Sequence, residues 1–184
     1  VCIVLNGTFG SETVPKIGKN FGVAEFSINF DRIKLTFNLK HDMKKLAIGV
    51  DIGGINTAFG LVDENGDLYA ESVISTKKYP YVDDYPAYVE DLCDSMRALA
   101  QSLSFEYELT GIGIGAPNAN YHKGTIETPA NLWKFKEGDP NPDESRRVFP
   151  LADDISKCFG GVKTLITNDA NAATIGEMIY GNAK

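Results

Sequence analysis

Two adjacent glycines with no helix behind them constrain this chain more than any other feature. In "GVDIGGINTAFGLVDENG", residues 49 to 66, an apolar run ends on Asp51, Gly53 and Gly54 follow, and the chain then alternates as a strand does. Glycines after a strand commonly cradle a phosphate, because a residue without Cβ lets backbone N–H groups approach an anion. In dinucleotide-binding and P-loop proteins such glycines open a helix whose N-terminus faces the phosphate. Here Ala58, Gly60 and Val62 fall on one side and Phe59 and Leu61 on the other, as far as a turn at Glu64-Asn65-Gly66. The glycines therefore sit in a β-hairpin, and a phosphate site on a hairpin belongs to a different set of nucleotide-binding folds.

The rest of the chain after Met43 supplies the frame for that hairpin. Strand patterns at 46–51, 56–63 and 67–75 form a meander with tight turns. From 88 to 104 apolar residues recur at helical spacing, with Val89, Leu92, Cys93, Met96, Ala100 and Leu103 on one face. "LTGIGIGAP" at 109–117 reads as a buried strand. A long polar, proline-rich stretch follows to Pro150, then a short helix at 151–158, a strand at 162–167 and a helix at 170–180. This order predicts an α/β fold: a mixed five-stranded sheet, antiparallel in its first strands and parallel afterwards, with helices on its faces.

Composition narrows the function. The 184 residues are 43% hydrophobic, enough for one sizeable core, and the net charge of −7 with no basic block argues against a nucleic-acid partner. No apolar run approaches the length of a membrane span, which argues against a membrane partner. Cys2, Cys93 and Cys158 are odd in number and widely spaced, so they read as buried thiols in a reducing, cytoplasmic compartment. Residues 1–42 mix glycine, lysine and aromatics without sustained periodicity before a strand pattern at Ile33 to Leu39. They read as an N-terminal extension outside the native protein, with Met43 as the start; a genuine N-terminal strand or arm is the alternative.

Three tempting motifs lead nowhere. "GIGIGA" at 111–116 fits a dinucleotide fingerprint, but Pro117-Asn118-Ala119-Asn120 stands where the phosphate-binding helix should begin. Gly18-Lys19 lacks both the spacing and the hydroxyl of a P-loop. His41 and His122 have no partners at metal-ligand spacing and read as surface histidines. "TLITNDANAATIGEM", residues 164–178, is more informative: a strand ends at Asn168-Asp169 and a helix begins at once. Either residue can serve as a helix cap. The position also lies at the carboxyl edge of a parallel strand, where open α/β sheets bind ligands, and the same edge should receive Asp51 and the Gly115-Ala116-Pro117 loop.

Four segments, "DIGGINTAFGLVDENG", "GIGIGAPNAN", "ETPANLWKF" and "ITNDANAATIGE", resemble successive motifs of the N-terminal lobe of ROK sugar kinases. These are the bacterial glucokinase-like branch of the actin, hexokinase and Hsp70 superfamily. The resemblance covers about residues 44–184 and implies a ribonuclease H-like, actin-like ATPase lobe that phosphorylates a hexose, glucose first, with ATP and Mg²⁺. It implies that Asp51 holds Mg²⁺ through water and that Gly53, Gly54, Asn56 and Thr57 approach the ATP phosphates. Asp169 becomes the general base for the sugar hydroxyl. Gly115, Ala116, Pro117, Asn118, Asn131 and Asn168 border the sugar, although Asn131 beside Pro129 is equally at home as a turn residue. One departure stands out: Ile55 occupies the position where the family usually has threonine.

The family's kinases carry a second lobe with further sugar ligands, the adenosine site and commonly a zinc cluster. Residues 43–184 thus read as the first lobe of a longer enzyme, with zinc and a homodimer contact confined to the part beyond it, and with no activity expected of the 184 residues alone. A sugar-responsive ROK transcription regulator and a non-kinase actin-like ATPase are the alternatives. Residues 1–42 are too short and irregular for the regulators' winged helix-turn-helix, and an unrelated ATPase would lack the sugar-facing motifs.

Overall fold

The computed structural model describes residues 24–25, 38–39 and 43–180. It divides into Val1–Met43 and Lys44–Lys184. In the first unit, β1 (Ala24–Glu25) pairs antiparallel with β2 (Asn38–Leu39). That pairing meets the last two residues of the strand expected over Ile33 to Leu39; the rest of that strand, with Cys2 and His41, lies outside the described residues.

The second unit is built on one five-stranded sheet. Its strands are β3 (Lys44–Ile52), β4 (Thr57–Val62), β5 (Leu68–Ile74), β6 (Tyr107–Ala116) and β10 (Thr164–Asn168), in the order β10-β6-β3-β4-β5. β3, β4 and β5 are antiparallel neighbours, while β6 runs parallel to both β3 and β10, the mixed arrangement that the element order predicts. The period-2 pattern of β3 separates its two faces. Leu46, Ile48, Val50 and Ile52 are buried, whereas Gly49 and Asp51 are exposed.

One face of the sheet carries the core. Ile48, Val50, Phe59, Leu61, Ile112, Ile114 and Ile166 meet the buried residues of α1 (Tyr85–Gln101) and α2 (Leu151–Cys158) there. α1 begins three residues earlier than the apolar spacing indicates, at Tyr85 with proline in its first turn, a favoured helix start because proline's missing N–H has no intrahelical partner there. Tyr85 and Tyr88 thereby join Leu92, Cys93 and Met96 in the core. α3 (Asp169–Tyr180) lies toward the other face, its Ala172 next to Gly115.

Two features depart from the sequence reading. The polar stretch between β6 and α2 contains a second, three-stranded sheet of β7 (Ala119–Asn120), β8 (Thr125–Glu127) and β9 (Val148–Phe149). Strands this short carry no measurable alternation. Cys93 and Cys158 are not free thiols: they form a disulfide across 65 residues, with Cα atoms 6.2 Å apart. Wide spacing in sequence argued against pairing, but α1 and α2 pack side by side and bring the two sulfurs together.

Candidate functional site

The carboxyl ends of the parallel strands gather the residues of interest in one register row. Asp51 pairs with Gly115 across β3 and β6, Thr167 pairs with the same Gly115 across β6 and β10, and Asp51 faces Ala58 on β4. One row further, Asn168 lies beside Ala116. Asp169 follows as the first residue of α3. A Cβ on the buried Gly115 would stand 3.4 Å from the Ala172 side chain and 3.6 Å from the Asp169 Cα, so the first turn of α3 packs directly on the strand end. Asp51, Gly115, Thr167 and Asp169 consequently line one broad, open cleft on the glycine-rich face. Gly115 and Ala116 are buried, and only their backbone is left to face a ligand; Pro117 is half-buried.

The hairpin closes through a hydrogen bond from the Gly53 N–H to the Asn56 carbonyl at 3.0 Å, and a Cβ on Gly53 would crowd that same oxygen. No acceptor among the described residues takes the N–H groups of Gly54, Ile55 or Asn56, all three exposed. Three successive free donors at a hairpin tip suit an anion. Ile55 projects its apolar side chain into solvent at 68% exposure.

Thr57 behaves differently from its expected role. Its side chain is fully buried, and its hydroxyl bonds to the Thr76 hydroxyl at 2.8 Å and to the Tyr88 hydroxyl at 2.9 Å. Burial raises the Tyr88 pKa well above that of a free phenol, so its hydroxyl stays protonated and able to donate. Thr57 therefore anchors the hairpin to α1 and to the turn at Thr76–Lys78, and it does not reach the cleft.

The second group of expected residues reaches the hairpin from the other side. A Cβ on Gly54 would lie 3.5 Å from the Asn131 Cβ, so the segment Asn131-Leu132-Trp133 abuts the glycine tip. Asn131 is exposed, and no partner engages its amide among the described residues. The loop beneath it is held by Arg147. That guanidinium donates to the Trp133 carbonyl at 3.3 Å and the Leu132 carbonyl at 3.5 Å, and it also bonds the Pro129 carbonyl. Trp133 is wholly buried against Tyr85, Tyr88 and Phe149. Asn118, Thr128 and Trp133 have φ of 56°, 45° and 44°, the left-handed region that side chains other than glycine seldom occupy. All three belong to the two loops expected to face the sugar, and such conformations concentrate at binding sites. Asn118 stays exposed, donating from Nδ2 to the Thr128 carbonyl at 3.4 Å.

At the start of α3 the capping reading of the Asn-Asp pair is met. The Ala170 N–H is accepted by Asn168 Oδ1 at 3.1 Å and by Asp169 Oδ1 at 2.8 Å, so each side chain caps the helix. Asp169 is exposed, and its second oxygen has no protein partner among the described residues. Among the described residues no three His, Cys, Asp or Glu stand together as a metal site. Asp51 alone still fits Mg²⁺, which is typically held by one or two carboxylates, waters and substrate phosphates.

Sequence reasoning overlooked the Thr57–Thr76–Tyr88 hydroxyl cluster, the Arg147 clamp and the cleft residue Tyr121. The cluster joins positions 19 and 31 residues apart, and no local pattern signals such a contact.

Comparison with known proteins bears on the family and the fold. The ROK family profile matches residues 47–184. The glucokinase of Streptomyces coelicolor is 31% identical over 141 residues, covering 76% of this chain and 37% of that protein, so the chain spans little more than a third of its relative. A solved ROK glucokinase from Streptomyces griseus, in complex with glucose and AMPPNP, superposes with a TM-score of 0.58 at 28% identity, covering 76% of this chain and 38% of that one. A ROK transcriptional regulator, homolog of the E. coli MLC protein, gives the same TM-score at 15% identity over 82% of this chain and 34% of its own, a likeness of fold alone. The mixed five-stranded sheet with helices on its faces is thus that of the actin-like ATPase fold, and the chain belongs to the ROK family.

Proposed function

We propose that this chain forms the phosphate-facing and sugar-facing lobe of an ATP-dependent hexose kinase, with glucose as the first substrate. The observation that carries the reading is the set of three free N–H groups at the hairpin tip just after β3, the Asp51 carboxylate near the end of that strand, and the unpartnered oxygen of Asp169, which lines the same cleft as Asp51. The first suits phosphate, the second Mg²⁺ and the third a hydroxyl proton.

In this mechanism Asp169 takes the proton of a sugar hydroxyl as that oxygen bonds to the γ-phosphorus. The bond from the γ-phosphorus to the bridging oxygen breaks and ADP departs, leaving a sugar phosphate. Gly54, Ile55 and Asn56 hold the donor phosphates through their backbone. Mg²⁺, when bound through Asp51, supplies neutralising charge. Asn131, Asn168, Asn118 and the backbone at Gly115-Ala116-Pro117 orient the sugar. Phosphoryl transfer depends on in-line positioning away from bulk water, and this lobe leaves the nucleotide base and one side of the sugar exposed. The remaining ligands come from a further lobe.

Because a regulator shares the fold, the deciding test is chemical. ADP release should be measured with glucose, N-acetylglucosamine and mannose, on residues 1–184 and on the complete encoded protein. Sugar-dependent release by the complete protein alone is expected. Silence in both overturns the kinase reading, and strong activity from residues 1–184 overturns the need for a second lobe.

A further inference from the structure

The turn Thr76–Lys78 presses against the tip of the glycine hairpin. The Lys77 N–H donates to the Ile55 carbonyl at 3.1 Å, and the Thr76 hydroxyl is locked to buried Thr57 at 2.8 Å. This double attachment fixes the backbone of Lys77 beside the three free N–H donors of Gly54, Ile55 and Asn56. The Lys77 side chain is exposed and, like those of Lys45, Lys78, Lys134 and Lys163, has no carboxylate partner among the described residues; it is the attachment to the hairpin that sets Lys77 apart. The hairpin itself brings no cation: Ile55 and Asn56 follow the glycines. A polyphosphate seated on backbone N–H groups alone would keep most of its charge uncompensated.

We propose that Lys77 is the cationic arm of the phosphate cradle, contacting the polyphosphate of the donor and holding it against the hairpin. The proposal rests on the kinase reading for the identity of the donor, but not for the existence of an anion site. Lysine suits the task as a mobile point charge on a long stem that can follow the anion as it enters and leaves. Lys78 is the weaker choice, because its N–H turns back to the Ser75 carbonyl at 3.3 Å and makes no bond to the hairpin.

The test uses the complete encoded protein and two probes, inorganic tripolyphosphate and MgATP, with affinity measured by calorimetry at two salt concentrations. Lys77→Gln should weaken both probes about tenfold and flatten the salt dependence, the scale of one lost charge-assisted contact. Lys157→Gln, on α2, should bind as wild type, and unchanged melting would show that Lys77→Gln leaves the fold intact. In turnover assays the loss should fall on the KM for ATP and leave the KM for sugar alone. Wild-type affinity in Lys77→Gln, or a loss that appears in Lys78→Gln instead, overturns the proposal while leaving the kinase reading in place. Lys77-dependent binding of tripolyphosphate without sugar-dependent turnover would sustain the anion site and reject the kinase. A wild-type protein that binds neither probe rejects both.

Discussion

The two faces of the five-stranded sheet are made from the same strands and could hardly be less alike. Ile48, Val50, Phe59, Leu61, Ile112 and Ile114 point to one side, where α1 and α2 bury them. Ala47, Gly49, Asp51, Ala58, Gly60 and Gly113 alternate with them and line the cleft on the other. The strands therefore place bulk where stability is built and remove it where ligands approach. Asp51 sits at the rim of the bare face one residue after Val50, which lies in the core. Backbone alternation is what allows one strand to serve both purposes, and substitutions on neighbouring positions should separate them.

The largest effect is expected on the covered face. Phe59→Ala should lower unfolding free energy by about 3–5 kcal/mol, through lost transfer energy and a cavity beneath α1. Its neighbour Ala58, on the open face, should accept Ser within about 0.5 kcal/mol. Urea unfolding of both variants checks the contrast, and similar losses at the two positions would mean that the faces are not divided as described.

Next in size is a change that should spare stability and strike function. Asp169→Asn keeps an oxygen for the Ala170 N–H, so the helix cap and the melting temperature should survive. In the complete protein, turnover should fall by roughly 100-fold, the scale of a lost general base. Near-normal turnover would return Asp169 to capping alone.

The anchor of the hairpin lies between these extremes. Thr57→Val removes the hydroxyl shared by Thr76 and Tyr88 and leaves both buried without a partner, at a cost of about 1–3 kcal/mol. Thr57→Ser should recover most of that. If Thr57 met the nucleotide directly, the valine variant would lose ATP affinity with no loss of stability, so thermal melting and nucleotide titration together decide its role.

The covered face was legible in the sequence because burial imposes a period. Phe59 and Leu61 against Ala58 and Gly60 fixed the sidedness of β4, and the apolar repeat from Val89 to Met96 located α1. The cleft was legible in part, through strand ends whose position follows from topology: Asp51, Gly115 and Asp169 converge as expected. What stayed hidden was contact between distant positions without a pattern. The Cys93–Cys158 bond, the Arg147 clamp on the loop of Asn131, and the three-stranded sheet around Ile126 all depend on how α1, α2 and the proline-rich stretch meet in space. Thr57 illustrates the limit: its place beside the glycines suggested a ligand contact, but the alternation of β4 turns it inward with Phe59 and Leu61.

The smallest prediction tests the open face directly. Glycine inside a strand costs roughly 0.5–1 kcal/mol relative to alanine, because the unfolded chain loses more freedom on ordering, so a strand glycine needs a reason. At Gly60 one is present: a Cβ would stand 2.9 Å from the Leu68 side chain and 3.0 Å from the Ala70 carbonyl. At Gly113, in the middle of β6, a Cβ would meet nothing within 4 Å, and the backbone is not in the left-handed region. Gly113→Ala should therefore stabilise residues 1–184 by a few tenths of a kcal/mol, up to about 1 kcal/mol, through the unfolded state. Gly60→Ala should destabilise them. Thermal melting of the pair reads both signs in one experiment. A destabilised Gly113→Ala would mean that something packs on the middle of this face in solution, and the division between a filled side and a bare side would then have to be redrawn.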